Sequence, residues 1–221
     1  MTECLLNGER CFLEQQAWQE VMKSIIDKEE SPISDRSEIV LSLLMLKCRI
    51  PGFCYEVTDI ICVAPDPDVE AIEDLAIRLR QLRTNFLNWR SRYQSIVGCF
   101  PEMSPGCLDY DSHCKVWANF LSCSIITTRL LEALCAAERP ELEQTTESLI
   151  TQMFQLELET RNSPTSLFMA QTFAVAQATN VTSDDWKEVK PVIVDDQPDT
   201  KGLIERSKFE RWNKMIGRKL P

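Results

Sequence analysis

Between residues 72 and 96 the apolar positions Ile72, Leu75, Leu79, Leu82, Phe86, Trp89, Tyr93 and Ile96 follow one another at alternating steps of three and four. This is a seam of period 3.5, sustained over more than three heptads, and only an α-helix brings such positions to one side. A stripe that long needs a second long helix beside it. The candidate is residues 109–137, which carry Val116, Phe120, Cys123, Ile126, Leu130, Leu131 and Leu134. The first of these helices should begin at Asp66, a good N-cap, with Pro67 in the first helical position. Glu70 and Glu73 then sit near the positive end of its dipole. Pro101, Pro105 and Gly106 mark the loop between the two helices.

Helical periodicity extends over most of the remaining chain. Residues 9–26 read as a helix with Phe12, Trp18, Val21, Met22 and Ile25 on one face, followed by a charged linker containing Pro32. Residues 35–48 are apolar nearly all round, as in a buried helix, and Pro51-Gly52 should end it. The stretch 53–63 fits a strand or a short helix equally well. A helix runs from Pro140 to about Thr160 with Leu142, Leu149, Ile150, Met153, Phe154 and Leu156 inward, and another covers 165–178. Residues 180–199 are polar and contain Pro191 and Pro198, and a last helix spans 201–216 before Gly217. The fold class is therefore all-α, a helical bundle or array of about six to eight helices. Its parts are an N-terminal helix (1–30), a helical core domain (31–179), and a polar arm with a C-terminal helix packing on the core (180–221).

Charge and cysteine usage narrow the function classes. The net charge of −10 has the wrong sign for a protein that displaces counterions from phosphate, so no direct nucleic-acid partner is expected. Only six glycines in 221 residues argue against a glycine-rich nucleotide fold. Residues 1–12 lack the basic start and apolar run of a secretory signal. The richest apolar stretch, 39–46, is about half the length a bilayer needs. The expectation is a soluble intracellular protein, nuclear or cytoplasmic, without membrane attachment. Met1 followed by a helix of its own fits a complete small protein. None of the ten cysteines forms the CxxC pair that structural zinc sites favour, so they read as reduced core residues, with no metal and no cofactor.

Four strings point to one family: CRIPGFCYEV at 48–57, NFLNWRSRY at 85–93, WANFLSCSIITTRLLEALC at 117–135 and WNKMIGRKLP at 212–221. Together they resemble the C-terminal regulatory region of fungal binuclear zinc-cluster transcription factors, over roughly residue 33 to the end. The resemblance implies a domain that answers to effectors or partner proteins. It does not extend to the DNA reader. The zinc cluster needs six cysteines with two CxxC pairs in a basic setting, and the N-terminal region offers only Cys4 and Cys11.

Candidate site residues each have a functional and a plain reading. His113 is the sole histidine, and Asp109 lies four residues before it on the same helix face, with Asp111 between them. A carboxylate that orients an imidazole is a workable general base, and these three are the candidate catalytic set if the protein is an enzyme. The plain reading is a capping aspartate and a surface histidine. Trp89, Tyr93, Tyr110, Trp117 and Phe120 are candidates for a ligand pocket where the two long helices meet, or else ordinary core. Arg78, Arg80, Arg83, Arg90 and Arg92 lie off the seam and fit either an acidic partner or a solvated face paired with Glu70, Glu73 and Asp74. Asp195-Asp196-Gln197-Pro198-Asp199 spells the magnesium-binding DDxxD of terpene synthases, but Pro198 breaks the helix that motif needs.

The leading expectation is a regulatory or ligand-sensing domain acting on an apolar small molecule or a protein partner, with a homo-dimer as a further candidate; an inhibitor that pairs with full-length relatives through the heptad seam is a third reading. The alternative is an enzyme of fungal specialised metabolism, a cofactor-independent cyclase or isomerase, working through proximity and orientation in a pocket between helices.

Overall fold

The computed structural model describes Cys4 and residues 9–27, 30–62, 68–100, 104–105 and 107–179. Among these residues the fold is all-α, with no strand. The helices are α1 (Gln16–Ser24), α2 (Glu38–Lys47), α3 (Ile50–Cys62), α4 (Val69–Val97), α5 (Leu108–Leu134), α6 (Arg139–Thr160) and α7 (Ser166–Thr179). Expectations for Asp66, Pro67, the 180–199 arm with its DDxxD string, and the 201–216 helix lie outside the described residues.

The seam behaves as its spacing requires. Leu75, Leu79, Leu82, Phe86, Trp89 and Tyr93 are buried, and Ile72 and Ile96 pack on the core from its ends. At 29 residues α4 is about 43 Å long. Its observed cap is Asp68, whose carboxylate accepts from the Glu70 N–H at 3.0 Å. The expected partner, α5, proves to be the central element among the described helices. It packs most extensively against α6, then α7 and α4, and also touches α3 and α2. Its burial therefore exceeds the single face read from sequence: Cys114, Ala118, Leu121, Ile125 and Ala133 are inside as well.

Two buried threonines of α5 are satisfied locally. Thr127 and Thr128 donate to the carbonyls of Cys123 and Ser124, each at 2.8 Å, one turn back. Near the helix end, Arg129 donates to Glu132 at 2.5 Å and to the Thr179 carbonyl at 2.7 Å. Thr146 of α6 donates to the other Glu132 oxygen at 2.7 Å. All four residues are buried, so one polar cluster ties the end of α7 to α5 and α6. The guanidinium sits on the negative end of the α7 dipole.

The N-terminal part differs from expectation. Gln15 is extended (φ −66°, ψ 141°), which separates a short 3-10 turn at Phe12–Glu14 from α1. Of the expected apolar face only Met22 is buried, and Phe12, Trp18, Val21 and Ile25 stay 44–52% exposed. The segment before α1 lies over α3: Cys11 is buried, Arg10 pairs with Glu56 at 2.6 Å, and a Cβ at Gly52 would meet Glu14 Oε2 at 3.2 Å. Pro51-Gly52 does not stop a helix there. Cys48 and Arg49 make the break, and Pro51 occupies the first turn of α3, where its missing N–H costs nothing. The undecided stretch 53–63 is helix as far as Cys62.

Cys4, Cys11, Cys48, Cys54, Cys99, Cys107, Cys114, Cys123 and Cys135 are free thiols. Cys11, Cys48, Cys54, Cys114 and Cys123 are buried, as small hydrophobes are. Among the described residues no group of histidine, cysteine, aspartate and glutamate side chains is placed to hold a metal ion, and no helix is long and apolar enough to cross a membrane.

Candidate functional site

A cleft of about 460 Å³ opens between the N-terminal half of α5 and the C-terminal half of α6. That size lies within the usual range for small-molecule sites. On the α5 side Tyr110, His113, Cys114 and Trp117 recur at i, i+3, i+4 and i+7, the spacing that makes one helix face. The α6 side supplies Gln152, Gln155, Leu156 and Glu159.

Behind the α5 wall stands a stack of near-parallel rings. Trp89 lies on Tyr93 with centroids 4.8 Å apart and on Phe120 at 5.3 Å. Trp117 lies on Phe120 at 4.9 Å. The His113 ring is parallel to Tyr93 within 5°, with centroids 5.7 Å apart and the Tyr93 oxygen 3.0 Å from its Nδ1. Tyr93 is 0% exposed, and burial pushes its phenol far above the ordinary range, so the hydroxyl keeps its proton. A buried O–H requires an acceptor, and Nδ1 is the acceptor beside it. Tyr93 therefore donates to Nδ1, and the ring carries its own proton on Nε2. Burial also lowers the His113 pKa, which keeps the imidazole neutral at pH 7.

The other polar groups of the wall are protonated too. Tyr110 and Cys114 share a hydrogen bond, and burial raises the phenol to about 12 and the thiol to about 11. A thiol that basic is no nucleophile at neutral pH. The amides of Gln152 and Gln155 complete the hydrogen-bonding set. Gln152 donates to the Ser148 carbonyl at 3.3 Å, and Gln155 donates to Glu159, the cleft's one carboxylate, at 2.8 Å. The cleft thus offers an aromatic wall with uncharged donors and little charge.

The structure distributes the expected site residues unevenly. His113, Tyr110 and Trp117 line the cleft. Trp89, Tyr93 and Phe120 are 0–3% exposed and form the stack behind it, so they support the wall and do not contact the cleft. Asp109 accepts from Ser31 at 2.9 Å and Asp111 from Ser163 at 3.3 Å. The hydrogen bond that orients His113 comes from Tyr93, twenty residues away on another helix. The cap of α5 is Cys107, whose Sγ accepts from the Tyr110 N–H at 3.2 Å. Sequence reasoning missed Cys114, Gln152, Gln155 and Glu159. Spacing from His113 and Trp117 was a usable signal for Cys114, but the α6 residues look like any solvated helix face.

No family model matches the chain, and comparison with curated proteins and with solved structures finds no match either.

Proposed function

We propose that this protein is a ligand-sensing helical domain of regulatory type, whose cleft between α5 and α6 takes a small, largely apolar molecule with a flat ring. The observation that carries this reading is the wall itself. Trp117 and His113 are held in near-parallel planes by a buried stack, and His113 presents one neutral donor, Nε2–H. A ring lies against the aromatic face while a carbonyl or ring nitrogen accepts from the imidazole. The transcription-factor likeness of the strings at 85–93 and 117–135 supports a regulatory role, and the net charge of −10 supports action without direct DNA contact.

The enzyme alternative draws less support from the same geometry. A proton given from Nε2 would have to be replaced at Nδ1 from Tyr93, leaving a buried phenolate that desolvation opposes. Sensing requires no such step.

Because His113 is the only histidine, its ring Cε1–H signal is unambiguous in NMR. Titration with indole and with quinoline is expected to shift that signal saturably in the wild-type protein and to leave it in place in Trp117→Ala. Shifts of equal size in both proteins, or none in either, would count against the cleft as a ligand site.

A further inference from the structure

The five arginines of α4 do not share one fate. Arg78 pairs with Asp74 at 2.8 Å and Glu56 at 2.7 Å, Arg80 pairs with Glu138, and Arg92 pairs with Glu38 at 3.0 Å. Arg83 and Arg90 are half-buried, yet neither has a carboxylate or hydrogen-bond partner among the described residues. In a chain with ten more acidic than basic side chains, two such cations lining one slot call for an explanation. They stand at i and i+7, one face of α4, and both line a slot of about 60 Å³ between α4, α5 and α6. The floor of the slot is apolar, made of Phe86, Phe120 and Leu149. Its wall contains Ser124, whose Oγ is buried and has no hydrogen-bond partner among the described residues. Arg90 lies over the Trp117 ring at 5.8 Å, which engages the guanidinium face while its N–H edge has no hydrogen-bond partner among the described residues.

We infer that Arg83 and Arg90 form a binding site for a small organic acid, a carboxylate on a short aliphatic stem. The carboxylate sits between the two guanidiniums, whose planar forks match its geometry. Ser124 Oγ–H supplies the third donor. The stem enters the slot, which has room for about two methyl-sized groups. The hydroxyls of Thr127, Thr128 and Thr145 already donate to backbone carbonyls, so they do not compete for the anion. This site shares no lining residue with the cleft, touching its wall only where Arg90 lies over Trp117, and it does not depend on how the cleft is read.

The test is an NMR titration of the arginine Nε–Hε signals with propionate, with propionamide as the uncharged isostere and inorganic phosphate as the charge without a stem. Propionate is expected to shift the Arg83 and Arg90 signals saturably, with Arg92 unmoved, while propionamide shifts none of them and phosphate binds more weakly. Arg83→Gln should weaken propionate binding by about tenfold, the effect of losing one charge-assisted contact. The Arg90 signal of the unliganded variant should keep its wild-type position, which separates lost binding from lost fold. Equal shifts by propionamide, equal shifts at Arg92, or tighter binding of phosphate than of propionate would overturn the assignment. So would an Arg83→Gln variant that binds as the wild type does.

Discussion

Two residues on the last turns of α5 show how far a single side chain can depart from its pattern. Arg129 and Glu132 are oppositely charged side chains three residues apart, yet both are 5% exposed. Burial raises the Glu132 carboxyl, and Arg129 and Thr146 pull it back toward ionisation. Such a pair is retained only when every partner is present, because a lone buried charge costs more than the pair contributes. Glu132→Gln is therefore expected to lower unfolding free energy by roughly 3–5 kcal/mol, while Arg129→Met combined with Glu132→Met should recover most of that loss. Urea denaturation of the wild type, the single and the double variant measures it. A single variant no less stable than the double would contradict this account of the cluster. His113 makes the same point for the cleft: its orienting partner is a phenol on a different helix, which no local spacing reveals.

At the scale of elements, the heptad seam of α4 was legible because periodicity is a local property of the chain. Its burial can be tested against its own exposed side. Leu79 is 0% exposed and Ile77, two residues earlier, is 56% exposed. Leu79→Ala should cost about 2–5 kcal/mol, the usual loss for a buried leucine. Ile77→Ala should stay within about 0.5 kcal/mol. Chemical denaturation curves that gave the two variants similar midpoints would mean that the seam is not the packing face. The element errors have local causes as well. Gln15 takes an extended conformation that shortens the first helix. A proline was read as a stop at Pro51, where it serves equally as a start, since the first-turn N–H has no partner in either case. The cap of α5 is the thiol of Cys107, a residue type that capping statistics do not favour.

For the whole molecule, the governing fact is that α5 is enclosed by neighbours on several sides while α1 rests on the body by little more than Met22. Local opening should follow that order. Native-state hydrogen exchange is expected to be slowest at the amides of 118–133 and fastest among the helices at 16–24. An α1 protected as well as α5 would show that the exposed apolar residues Phe12, Trp18, Val21 and Ile25 are covered in solution. The sequence by itself determined the all-α class, the long seam, and the helices that carry Tyr110, His113 and Trp117, because all of these follow from intervals along one chain. Only the tertiary structure decided that α5 is central, that Trp89, Tyr93 and Phe120 stand behind the cleft wall, and that Arg83 and Arg90 have no counter-charge among the described residues. Those outcomes depend on which faces of different helices meet, and the spacing of residues within one helix carries no information about its neighbours.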